Sequence, residues 1–189
     1  ILIEAACRHK SGVSAQTEAA EFCARRRPAI NIEEIDNGEN DMDVSGKKAM
    51  VLGGTSGIGL AATHRLAALG ARVVAVSRDP NKAGDLPEGV TTDSCDVLDE
   101  DAMAALFARH APYDILVCSA TGGGRAVGPF LEMDMGGFQG SFRKVWGYAN
   151  TVRFGAEHMS ENGSIVLVSG TPARKIRPGM LAVGAAGAA

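Results

Sequence analysis

Seven residues, Gly53-Gly54-Thr55-Ser56-Gly57-Ile58-Gly59, restrict this chain more than any other part of it. They follow a short apolar run, KAMVLG. They lead into a stretch, Ile58 to Leu69, whose apolar positions Ile58, Ala62, Leu66 and Leu69 recur at helical spacing. A strand that turns at once into a helix needs backbone angles that glycine adopts at least cost. The same glycines let main-chain N–H groups approach a pyrophosphate with no Cβ in the way. The unpaired amides and partial positive charge of a helix start add to that attraction, and Thr55 and Ser56 add hydroxyl donors. A tight turn without a ligand is the alternative. It accounts less well for a strand and a helix standing where a phosphate-binding loop requires them.

Downstream, strands and helices alternate. Gly70 ends the first helix, RVVAVS (72–77) is a second strand, and GVTTDSCDV contains a third. Asp99 caps a helix with Met103, Leu106 and Phe107 on one face, and DILVCSA (114–120) is a fourth strand. A long helix is expected from about Gly137 to Met159, a fifth strand over GSIVLVSG (163–170), and the opening of another helix in AVGAAGAA. This β-α-β-α order predicts an α/β fold, a doubly wound parallel sheet of the Rossmann type with strand order 3-2-1-4-5.

Residues 1–45 read differently from 46–189. They carry no strong strand pattern, only a short candidate helix from Thr17 to Arg26 and the acidic stretch NIEEIDNGEND. Met42 stands just before the organised pattern, so residues 1–41 are expected to be a leader or translated upstream sequence, poorly structured. Residues 46–189 are expected to form the nucleotide-binding domain.

Composition narrows the function classes. The chain has 189 residues, 46% apolar and 22% charged, which suits one globular domain. A formal charge of -3 gives no electrostatic case for nucleic acid, and the one dense basic run, Arg25-Arg26-Arg27, sits among acids. No apolar run reaches the length of a membrane span, so no membrane partner is expected. Cys7, Cys23, Cys95 and Cys118 show neither paired nor metal-ligand spacing, and four histidines are scattered. No metal site is expected, and a reducing cytoplasm is the expected location.

The spacing G-x-x-x-G-x-G at Gly53, Gly57 and Gly59 resembles the short-chain dehydrogenase/reductase family, as does DILVCSATGG beside that family's DILVNNAG segment. The likeness spans roughly residues 46–189, although Leu52 stands where the family usually has threonine. It implies a nicotinamide dinucleotide cofactor, an oxidoreductase activity on a small carbonyl or alcohol substrate, and a homo-oligomer in complete form. Gly53, Thr55, Ser56, Gly57, Ile58 and Gly59 would hold the pyrophosphate. Ser77-Arg78 ends the second strand, where an acid would accept from a free ribose 2′-hydroxyl; a guanidinium there suits a 2′-phosphate. NADP(H) is therefore expected ahead of NAD(H), the alternative being an ordinary surface arginine. Asp96, with Val97 beside it, would border the adenine, or Asp96 caps a turn. Ser119 and Ala120 would line the cofactor near Cys118, itself a buried thiol or a cofactor neighbour.

The family's catalytic pattern is absent. Its serine falls at Gly170 with Ser169 adjacent, its tyrosine at Val183, its lysine at Gly187 and its asparagine at Lys144. Ser169 is expected to point away from the active site, since strand side chains alternate. Tyr148 is expected about one helical turn, roughly 6 Å, too deep. Lys144 is the catalytic candidate, a proton donor beside a cationic nicotinamide. Its alternatives are a surface lysine or a ribose contact. Ser169 is the weaker candidate. The family's last strands are missing, leaving the fifth strand as an exposed edge, and substrate specificity would lie largely in that missing part. A cofactor-binding regulatory protein or an inactive fragment is the competing function.

Overall fold

The computed structural model describes residues 4–6, 43–121, 123–175 and 177–189. The candidate helix from Thr17 to Arg26, the proposed start at Met42, Cys7, Cys23 and His9 lie outside them. Among the described residues the strands are β1 (Glu4–Ala6), β2 (Lys48–Leu52), β3 (Arg72–Ser77), β4 (Thr91–Ser94), β5 (Tyr113–Cys118) and β6 (Met159–Leu167). The helices are α1 (Gly57–Ala68), α2 (Glu100–His110), α3 (Met135–Ser141), α4 (Arg143–Gly155) and α5 (Leu181–Ala188).

The sheet runs β1-β6-β5-β2-β3-β4, and every pairing from β6 to β4 is parallel. Its five parallel strands therefore follow the expected order 3-2-1-4-5. Glu4–Ala6 adds an antiparallel strand against Ser164–Val166, so part of the edge expected to be open is covered. No local pattern in residues 4–6 announces this; a three-residue strand forms only because an unpaired edge offers its N–H and C=O groups.

Strand alternation splits the core between the sheet's two faces. Met50 and Leu52 join Val74, Val76, Leu106, Phe107, Tyr113 and Leu116 on one face, while Ala49 and Val51 join Val73 and Val117 on the other. Helix α2 forms as its sequence suggests. Asp99 accepts from the Ala102 N–H at 3.0 Å, and Met103, Leu106 and Phe107 are fully buried. Phe107 lies 5.8 Å from the Tyr113 ring, whose hydroxyl donates to the Gly155 carbonyl at 2.5 Å and ties α4 to the sheet. Phe107→Ala removes the ring at this junction. It is expected to destabilise the fold by about 3–5 kcal/mol, read as a lowered thermal midpoint.

Three expectations change. Ile58 is 68% exposed rather than part of the α1 core face, which Leu66 and the buried Thr63 supply instead. The first turn of α1 projects past the sheet, so a residue there has no strand beneath it. The single long helix is two helices meeting at Phe142. Phe142 N–H bonds to Gln139 at 3.0 Å and Val145 N–H to Phe142 at 2.9 Å, three-residue steps that tighten the backbone. Glycines 136, 137 and 140 make α3 a weak helix, and the rings of Phe130, Phe138 and Phe142 meet edge-on and tilted beside the break. Finally, β6 ends at Leu167, not Gly170, although the Val168 N–H still bonds the Cys118 carbonyl at 2.9 Å.

Candidate functional site

The carboxyl ends of β2, β3, β5 and β6 open onto one cleft of about 490 Å³. Strand order places it there: β3 lies on one side of β2 and β5 on the other, so the connections diverge and leave a crevice between them. The β2–α1 loop forms its floor. Gly53 has φ +80, and a Cβ on it would lie 2.7 Å from Ser119 Oγ. A Cβ on Gly59 would lie 2.0 Å from the Gly53 carbonyl oxygen, so the helix start packs against the loop only because no side chain intervenes. The loop is braced from three sides. Gly53 N–H donates to Val76 O at 2.7 Å, Ser119 Oγ to Leu52 O at 3.1 Å, and Thr63 Oγ1 to Gly54 O at 3.0 Å.

All the residues expected around a cofactor line this cleft: Gly53, Thr55, Ser56, Gly57, Ile58, Gly59, Ser77, Arg78, Asp96, Val97, Ser119 and Ala120. Ser56 caps α1 without a side-chain cap bond, so its hydroxyl is available at the helix N-terminus. Ser77 Oγ is buried and has no hydrogen-bond partner, and the exposed Arg78 follows it. Asp96 combines both of its expected roles in position. It borders the cleft, and its Oδ1 accepts from the Leu98 N–H at 3.0 Å as a turn cap. Cys118 is fully buried, with Thr151 Oγ1 3.4 Å from its sulfur, and burial pushes its thiol up to about 11. It is a core residue, not part of the cleft wall.

At the other end of the cleft stand the two catalytic candidates. Ser169 lies in the cleft wall, and its Oγ accepts from Lys144 Nζ at 3.3 Å and donates to the Gly187 carbonyl at 3.0 Å, two groups that do not line the cleft. Lys144 lies just behind that wall, its ammonium 5.1 Å from the Tyr148 ring. Partial burial, then the charge of Arg125, depresses its pKa from the ordinary lysine value. Tyr148 does not line the cleft; its hydroxyl is committed to the Val168 carbonyl, and burial raises its pKa. Asn150 is buried and donates to Val97 O at 3.0 Å, so it braces the fold away from the cleft. Sequence reasoning missed Thr121 and Arg125 in the wall. The glycine run before Arg125 was the available signal, since such a run after a strand lets a side chain fold back over the sheet edge.

This donor set fits a dinucleotide: a loop that a Cβ would fill, a free hydroxyl at a helix start, and an unpartnered buried Ser77 hydroxyl beside a guanidinium. Among the described residues no group of histidine, cysteine or carboxylate side chains could hold a metal ion. Among the described residues no helix is long and apolar enough to cross a membrane.

Comparisons with known proteins agree with the geometry. Residues 47–189 match the short chain dehydrogenase family. L-xylulose reductase from Mesocricetus auratus is 34% identical over 136 residues, covering 68% of this chain and 55% of its own length. Short-chain dehydrogenase/reductase prx4 from Penicillium rubens is 34% identical over 96 residues, 50% of this chain and 29% of that protein. The chain thus spans little more than half of either relative at most. A solved short chain dehydrogenase from Burkholderia cenocepacia in complex with NADP superposes with a TM-score of 0.71 at 26% identity, over 78% of this chain and 63% of that one. Another family structure gives 0.68 at 35% identity, over 78% and 65%. A strand order of 3-2-1-4-5, a glycine loop built to admit a phosphate, and a family match across residues 47–189 lead to one conclusion: the chain belongs to the short-chain dehydrogenase/reductase family.

Proposed function

We propose that this chain is the cofactor-binding part of an NADP(H)-dependent oxidoreductase acting on a small carbonyl compound or alcohol. The carrying observation is the convergence of the glycine loop, Ser77, Arg78, Asp96 and Ser119 on one cleft at the carboxyl ends of the strands. A bound nicotinamide would supply or accept the hydride. The β2–α1 amides and the Ser56 hydroxyl hold the pyrophosphate at the positive end of α1. Ser77 and Arg78 hold a 2′-phosphate, and Asp96 and Val97 border the adenine.

At the opposite end, Ser169 and Lys144 stand where a substrate oxygen would be polarised and protonated. Lys144 donates the proton and Ser169 steers it, because the ammonium already points at the Ser169 hydroxyl. Lys144→Met is expected to lower turnover of NADPH with a carbonyl panel by about 100-fold. It should also remove the loss of rate that the parent shows as pH rises through the lysine's depressed pKa. Unchanged turnover would remove Lys144 from the chemistry.

A non-catalytic NADP(H)-binding regulator is the second reading. It is favoured by Tyr148's committed hydroxyl and by Val183 and Gly187 at the family's tyrosine and lysine positions. Tight NADPH binding with no turnover across the panel would select it. Trp146, 66% exposed on α4, and the exposed Val152 support association between copies in the complete protein. A cytoplasmic location remains part of the proposal.

A further inference from the structure

The cleft has two positively charged walls, and a dinucleotide accounts for one of them. Arg78 follows β3 and Arg125 follows β5, while Ser169 follows β6. From β3 to β6 the sheet steps through β2 and β5, about 14 Å at the usual strand spacing. Arg78 at the β3 end is placed for a ribose phosphate. Arg125 shares the far wall with Ser169 and Gly170, on the side where the reacting carbonyl would sit. Lys144 meets the same Ser169 hydroxyl from behind.

Neither cation is neutralised. The ion pairs among the described residues involve Asp79, Asp93 and Glu157, and none reaches Arg125 or Lys144. Among the described residues the one carboxylate in the cleft wall is Asp96, which already accepts the Leu98 N–H. Two like charges near one another, one of them half-buried, repel each other, and an anion bound between them relieves that repulsion. Their mutual effect is visible in Lys144, whose pKa Arg125 helps to depress. Guanidinium also suits a carboxylate or phosphate geometrically, through two parallel N–H donors.

We propose that Arg125 is a specificity residue that anchors an anionic group of the substrate, so that the carbonyl compounds taken by this site carry a carboxylate or phosphate. This rests on the oxidoreductase reading above. Lys144 contributes to the attracting field while remaining at the reacting oxygen.

Calorimetry tests it in three steps on the full chain. NADP⁺ is titrated first; failure to bind would overturn the cofactor reading and this proposal together. With NADP⁺ saturating, acetoacetate is then titrated against its uncharged methyl ester, with dihydroxyacetone phosphate as the phosphate arm. At least one anion is expected to bind about tenfold or more tightly than the ester. The stronger of the two names the group. Third, Arg125→Gln, an exposed position that leaves the core intact, is expected to reduce that gap to within about threefold while NADP⁺ affinity stays unchanged. Equal affinities for ester and both anions in the parent chain would overturn the proposal while leaving the cofactor reading intact. So would a loss of NADP⁺ binding in Arg125→Gln, which would assign the guanidinium to the cofactor.

Discussion

Gly59→Ala is expected to weaken NADPH binding by more than about 100-fold, the largest effect of any single methyl group in this protein. The added Cβ would sit 2.0 Å from the Gly53 carbonyl oxygen and 2.4 Å from Ser119 Oγ. Neither can yield freely. Gly53 is fixed by its N–H bond to Val76, and Ser119 by its bond to Leu52. The start of α1 would have to move away from the loop, carrying its amides off the pyrophosphate. Overpacking of this kind also costs about 1–3 kcal/mol of stability, which a thermal melt reads separately. Gly57→Ala is the informative control. Its Cβ would meet nothing within 4 Å, but its φ of +53 strains an alanine by about 1 kcal/mol. A folded Gly59→Ala protein that binds NADPH as tightly as its parent would contradict the assignment of the loop as a phosphate cradle.

Arg78→Ala should change the choice of cofactor rather than the ability to bind one. NADPH affinity is expected to fall about 30-fold, corresponding to the loss of a charge-assisted contact of about 2 kcal/mol. NADH, which has no 2′-phosphate, should shift by less than about threefold. Because Arg78 is exposed, the NADPH preference of the parent should itself narrow as salt rises from about 50 mM to about 500 mM, over which screening strengthens. Calorimetric titration of both cofactors into both proteins provides the four affinities needed. Equal weakening of NADPH and NADH would mean that the guanidinium serves the shared part of the dinucleotide, and the NADP(H) preference would then have no support at this position.

Both expectations come from residues whose placement was legible before any coordinates. The apolar run before Gly53, the helical period after it and the RVVAVS strand ending at Ser77 are local patterns. A parallel sheet buried on both faces enforces them strongly, because a polar residue in such a strand has no solvent-facing side to occupy. The Asp99 cap is equally local, as a carboxylate reaching an N–H three residues on. Ile58 shows the limit of periodicity. Its spacing matched the core face, yet the helix begins beyond the sheet edge, so period alone does not say what lies beneath a first turn.

The catalytic end was less legible. Ser169 lies just past the end of β6, where local pattern says nothing of what its hydroxyl meets. Its true neighbours, Lys144 and Gly187, come from α4 and α5, and no pattern within residues 163–170 encodes them. The break at Phe142 was not legible either, because helical period does not show where one helix gives way to the next. Arg125 was overlooked because an arginine in a glycine-rich loop has no period to mark it.

By itself, then, the sequence determined where the strands, the helices and the glycine loop lie along the chain, and the strand order followed from the rule for parallel β-α-β crossovers. The elements depend on residues within a few positions of one another, and backbone sterics and hydrophobic period act at that range. Tertiary structure alone decided that Ser169 faces Lys144, that Arg125 closes the far wall of the cleft, and that Glu4–Ala6 lies along β6. Those contacts join segments far apart in the chain, and their geometry follows from where each strand and helix stops, a quantity that packing sets and local propensity does not.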